Sequence, residues 1–78
     1  MTLPMVVDVL VASGVVSSKS EARRVISQGG AYVTNVRVSD LDARLTESDL
    51  LDDGTDYGLV IVRRGRSTVG AVRVPRAT

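Results

Sequence analysis

The side chains in this 78-residue sequence that could do chemistry are mostly cationic, and they fall into two groups. Lys19, Arg23 and Arg24 recur at helical spacing just before Gly29-Gly30, and Arg63-Arg64-Gly65-Arg66, followed by Arg73, form the second group. Such groups suit phosphate: the arginine fork makes planar bidentate contacts, and helix starts and glycine turns add backbone N–H donors. Each group also has a plainer reading. A basic helix face can simply be solvated, and charges crowded at a hairpin tip protect a sheet edge from aggregation. What favours binding is that both groups, far apart in sequence, lack nearby acids. The chain has neither cysteine nor histidine. That removes disulfides, thiolate metal sites and the commonest general base, leaving carboxylates, lysine and serine. An enzyme is therefore not expected from the inventory, and a reducing compartment is permitted.

Two helices and a small sheet must position these groups. Residues 3–13 form the first helix: Pro4 suits an opening turn, Met5, Val6, Val9 and Leu10 fall on one face, and Gly14 follows the end. Asp8 and Ser13 are then directed to solvent, while Val15 and Val16 turn under the next helix. Ser18 and Glu21 fit the S-x-x-E capping box, in which the serine oxygen accepts the N–H three residues on and the glutamate reaches back. The helix they open carries Ala22, Val25 and Ile26 on one stripe and Lys19, Ser20, Arg23, Arg24, Ser27 and Gln28 on the opposite arc. Gly29-Gly30 ends it. Tyr32 and Val33 pair with Val36 and Val38 across a Thr34-Asn35 turn, with Arg37 beside it. Residues 39–56 are a polar connection anchored by Leu41, Leu45, Leu50 and Leu51, with a helical turn starting at Thr46. A strand over 57–64 and a Gly65-Arg66-Ser67 turn lead into a last strand over 69–74, and residues 75–78 fray. The core is expected to hold Ala22, Val25, Ile26, Tyr32, Val33, Leu45, Leu59 and Ile61.

The net charge of +1 conceals a separation along the chain: residues 40–56 carry seven acids against Arg44, a balance of −6, and the remainder carries nine bases against Asp8 and Glu21, a balance of +7. Phosphates respond to such a local field more than to the total. At this length the chain, residues 1–78, is one domain that buries about 60–65% of its unfolded surface. No apolar run approaches the roughly 20 residues of a membrane span, and the start does not read as a signal peptide, so a soluble, cytoplasmic domain without membrane contact is expected.

Aromatic residues separate modes of RNA recognition. Single-strand readers stack bases on aromatic platforms, and this chain has only Tyr32 and Tyr57, so an RNA ligand is expected to be structured and read through shape, phosphates and 2′-hydroxyls. Two enzyme-like patterns are set aside. Asp49, Asp52, Asp53 and Asp56 with Gly54 lack the ligand order and final glutamate of an EF-hand, so no metal site is expected. Ser18-Lys19-Ser20 resembles the end of a class I synthetase KMSKS loop, but Val16-Ser17 precedes it and no nucleotide-binding domain accompanies it, so it reads as a helix cap.

Taken together, residues 9–35, which contain Ser-Lys-Ser-Glu-Ala-Arg-Arg followed by Gln-Gly-Gly-Ala-Tyr-Val, with the later Val-Arg-Arg-Gly-Arg, resemble the RNA-binding domain first described in the fourth protein of the small ribosomal subunit, the S-four domain. Within that superfamily the chain is most similar to the version at the C-terminus of bacterial tyrosyl-tRNA synthetases. The resemblance implies an α+β fold, the alpha-L RNA-binding motif, with two packed helices against a small twisted antiparallel sheet. It implies a non-catalytic module that helps hold tyrosine tRNA, while a separate catalytic domain uses ATP and tyrosine; the domain itself needs no cofactor. Carried over by position, Lys19, Ser20, Arg23, Arg24, Gln28, Gly29 and Gly30 face RNA, with Asn35 and Arg37 at the edge and Arg64 and Arg66 on the hairpin. Thr34 stands where that version commonly has a first asparagine, and Ser67-Thr68-Val69 replaces a more basic and aromatic hairpin.

The resemblance further implies a monomer for the isolated domain and a homodimer for the whole synthetase. Two other readings stay open: a free-standing S-four-type protein binding rRNA or tRNA, and a protein-interaction module that docks through the acidic 40–56 segment.

Overall fold

The computed structural model describes residues 3–52, 54 and 57–75. Helix α1, Val6–Ser13, and helix α2, Lys19–Ser27, pack on one face of an antiparallel sheet of five strands: β1 Ala31–Val33, β2 Val36–Arg37, β3 Leu51–Asp52, β4 Tyr57–Arg64 and β5 Thr68–Pro75. This is the α+β arrangement expected. Strand β4 is the centre, with β5 pairing along its full length on one edge. On the other edge β1 pairs with residues 62–64 and β3 with residues 58–59, so the two short strands share that edge end to end, and β2 lies outside β1.

Helix α1 starts later than Pro4 because residues 4–6 are held from the side. The Val6 N–H donates to the Ala43 carbonyl (2.9 Å), the Leu45 N–H donates to the Pro4 carbonyl (3.0 Å), and Met5 bridges Arg44 in an antiparallel sense. Ordering of the 39–45 stretch is thereby tied to the helix start. Helix α2 opens as its sequence dictates. Ser18 Oγ accepts the Glu21 N–H at 3.1 Å, while Glu21 Oε1 reaches past Ser18 to accept the Ser17 N–H at 3.0 Å. The turn expected at Thr46 is a single 3-10 turn, Glu47–Asp49, in which the Asp49 carboxylate accepts from the Thr46 N–H at 2.7 Å.

Val6, Val9 and Leu10 of α1 and Ala22 and Ile26 of α2 meet Ala31, Val33, Val60 and Val62 of the sheet, with Val15, Val16 and Leu45 closing the sides. Three residues expected in the core lie elsewhere, and a fourth, Val25, packs against it only partly buried. Leu59 and Ile61 are half-buried and Val60 and Val62 take the inner positions. The pairing Val33↔Val62 fixes this parity, and since side chains alternate along a strand, Leu59 and Ile61 must face outward. Tyr32 is half-buried on that same outer face, and Val25 is half-buried at the edge of the α2 stripe. Strand β3 lies in the stretch expected to be an anchored polar connection; at two residues it is too short to show alternation. Strand β5 runs through Pro75, one residue into the tail expected to fray, and residues 76–78, like Asp53 and Asp56 of the acidic cluster, lie outside the described residues. Among the described residues no helix is long and apolar enough to cross a membrane.

Candidate nucleic-acid interface

Helix α2 has Ala22 and Ile26 almost fully buried, so the rigid 3.6-residue period leaves the other side to solvent. Lys19, Ser20, Arg23, Arg24 and Gln28 are all exposed there. Among the described residues neither Arg23 nor Arg24 makes an ion pair. Their guanidinium groups are therefore held on a fixed backbone with their forks open.

The helix ends in a closed turn. The N–H groups of Gln28, Gly29 and Gly30 donate to the carbonyls of Arg24, Ile26 and Val25, each at 3.0 Å, and Gly29 sits at φ +75°, a conformation that favours glycine. Backbone donors at this turn, expected to help hold an anion, are thus already used, and its recognition falls to side chains. The turn does gather them. The Arg37 side chain lies against Gly29, with its Cδ and Nη1 each 3.9 Å from where a Cβ would stand, and the Gly65 N–H donates to the Gly30 carbonyl at 2.8 Å. That bond joins the end of α2 to the tip of the β4–β5 hairpin, which carries Arg64 and exposed Arg66.

Asn35 is not brought to this point. It occupies the far turn of the β1–β2 hairpin, where Thr34 at φ +46° and Asn35 at φ +67° both take left-handed values, as a two-residue type I′ turn requires. Three residues of strand put it about 10 Å from Gly30. Thr34 is anchored there by a hydroxyl bond to the Asp49 carbonyl, 2.8 Å, and an N–H bond to the Ile61 carbonyl, 2.8 Å.

The expectation that both basic groups lack acids is overturned. Lys19 Nζ lies 3.2 Å from Asp8 Oδ1, and Arg64 Nη1 lies 3.6 Å from Glu21 Oε1. Folding brings α1 beside the start of α2, and the hairpin beside α2, so residues distant in sequence meet. Asp8 accordingly points to solvent, as expected, and faces a cation there.

Two residues named in the sequence, Arg63 and Tyr32, meet beside the site in a contact that their spacing does not predict. Arg63 stacks on Tyr32, its guanidinium carbon 4.3 Å from the ring centroid, and its Nε is buried without a hydrogen-bond partner. Cross-strand pairing places Arg37, Tyr32 and Arg63 in one row across β2, β1 and β4 on the outer face. The signal existed in the parity of β4: once Val62 points inward, Arg63 must point outward.

Residues 2–69 match the family model described as the tyrosine--tRNA ligase SYY-like C-terminal domain. Among curated proteins, the chain is 49% identical over 69 residues to a tyrosine--tRNA ligase of Cutibacterium acnes, covering 88% of this chain and 16% of that protein. It is 46% identical over 70 residues to that of Thermobifida fusca, covering 90% and 15%, and 51% identical over 69 residues to that of Acidothermus cellulolyticus, covering 88% and 15%. The chain thus spans about one-sixth of the length of the relatives it matches.

Proposed function

From the premise that this chain belongs to the tyrosine--tRNA ligase SYY-like C-terminal domain family, we propose that its basic helix face and glycine turn bind structured RNA, and that the RNA is tyrosine tRNA held for aminoacylation by a separate catalytic domain. The observation that carries this reading is the open pair Arg23 and Arg24 on α2, with Arg37 laid against the turn that ends the same helix. Arginine forks on a rigid helix present planar, bidentate donors to phosphate. Ser20, Gln28 and Arg66 extend the strip, Lys19 and Arg64 flank it with a carboxylate beside each, and Asn35 lies at its far margin. A structured ligand fits the aromatic residues better than a single strand. Tyr32 already carries Arg63 on its ring, and Arg73 lies 5.1 Å from the ring centroid of Tyr57. Within the same reading the domain needs no cofactor, is monomeric alone, works in the cytoplasm, and belongs to a homodimeric synthetase whose catalytic domain handles ATP and tyrosine.

Three to five phosphate contacts give a log–log salt slope of about −2 to −4.5 and an affinity of about micromolar or weaker. Titration of tyrosine tRNA against the chain and an Arg23→Glu, Arg24→Glu variant across a salt series tests this. The wild type shows that slope, and the variant loses most of the affinity. Equal binding by both would remove the helix face from the mechanism.

A further inference from the structure

Outside residues 40–56 the chain has two acids, Asp8 and Glu21, and each is paired with a cation of the basic strip: Asp8 with Lys19 at 3.2 Å and Glu21 with Arg64 at 3.6 Å. Both pairs are substantially exposed, with side-chain accessibilities of 64% for Lys19, 46% for Asp8, 42% for Arg64 and 36% for Glu21. Exposed pairs of this kind add little to folding stability. Their effect on an anion arriving from solvent is larger, because each places a carboxylate where a phosphate would approach. Arg23 and Arg24, which lie between Lys19 and Glu21 around α2, and Arg37, against the turn that ends the helix, have no acid paired with them among the described residues.

Building on the RNA reading above, we infer that Asp8 and Glu21 are specificity-determining residues of the RNA interface, occupying Lys19 and Arg64 in place of phosphate and confining strong attraction to the strip formed by Arg23, Arg24 and Arg37. An RNA whose shape sets its phosphates on that strip binds without displacing either carboxylate. An RNA placed differently must draw on Lys19 or Arg64 and meets a competing anion already in position. The acids cost cognate RNA little and unrelated RNA more, so they widen the gap between the two. Glu21 can be tested cleanly, because glutamine keeps an oxygen to accept the Ser17 N–H and removes only the charge.

The experiment compares the wild-type chain with an Asp8→Asn, Glu21→Gln double variant, titrating tyrosine tRNA and an RNA duplex of unrelated sequence across a salt series. A carboxylate about 7 Å from a phosphate in water-like dielectric weakens binding about threefold, so the variant binds the duplex about fivefold to tenfold tighter at low salt. Tyrosine tRNA gains about twofold or less, and the duplex salt slope steepens by about 0.7 to 1.8. In a Lys19→Gln, Arg64→Gln background the acid substitutions no longer steepen the duplex salt slope, because the cations they would release to phosphate are gone, which separates the pairing from a through-space or structural effect of the acids. Equal gains for both RNAs, unchanged slopes, or a slope that still steepens in that background overturn the inference. A wild-type chain with no salt-dependent RNA binding instead removes the RNA reading on which the inference rests, whereas salt-dependent binding that the double variant leaves unaltered removes only the role of the two acids.

Discussion

Ser18 shows how much a single side chain sets at the start of α2. Its Oγ accepts the Glu21 N–H, and the same glutamate caps Ser17 and pairs with Arg64, so one residue's geometry fixes both the helix start and the hairpin's nearest anion. Ser18→Ala should therefore lower stability by about 1 kcal/mol, read as a lower urea midpoint with an unchanged m-value. Thr34 makes a different point at the same scale. A β-branched residue at φ +46° is strained, and the turn holds it because both its hydroxyl and its N–H find carbonyls, those of Asp49 and Ile61. The departure from asparagine at this position is thus matched by a tertiary bond, and the hairpin keeps its two-residue turn.

Among the elements, β4 decides the layout, because it alone pairs with three other strands. Its Gly58 is buried under Leu50: a Cβ at that position would lie 2.6 Å from Leu50 Cβ. Gly58→Ala must push Leu50 or the backbone aside, so a loss of about 1–3 kcal/mol is expected in thermal or chemical denaturation, whereas the same change at a solvent-facing strand position costs far less. Elements with a strong local code were legible in the sequence. The capping box, the stripe of Ala22, Val25 and Ile26 and the closing glycines gave α2 nearly residue by residue, and Asn35 marked the hairpin turn. The parity of β4 was not legible, because Leu59, Val60, Ile61 and Val62 are apolar on both faces and only pairing with β1 selects between them. The acid–cation pairs were hidden for a related reason: Asp8 and Lys19 belong to different helices, and Glu21 and Arg64 to a helix and a hairpin, so tertiary packing alone brings them together. The basic strip itself was readable from helical spacing, while the neighbouring Arg63–Tyr32 stack depended on the unread parity.

At the scale of the whole molecule the core is small. A chain of this length has about 4–12 kcal/mol of stability in total, and Ile26, 1% exposed at the junction of α2 with the sheet, contributes a large share. Ile26→Ala should cost about 2–5 kcal/mol. At about 4–8 °C per kcal/mol that lowers Tm by tens of degrees, which calorimetry can check directly. Charge is distributed with equal consequence, since an acidic middle segment of −6 is carried by a chain that is otherwise +7. The bond from Gly65 N–H to the Gly30 carbonyl, 2.8 Å, bears on how such a molecule meets a ligand. It fastens the helix end to the hairpin tip, so moving one basic arm without the other costs that bond, about 1 kcal/mol. The two arms therefore form one joined surface rather than a pair of separate fingers. In the proposed RNA complex, more of any bending needed for a good fit then falls to the RNA than to the domain.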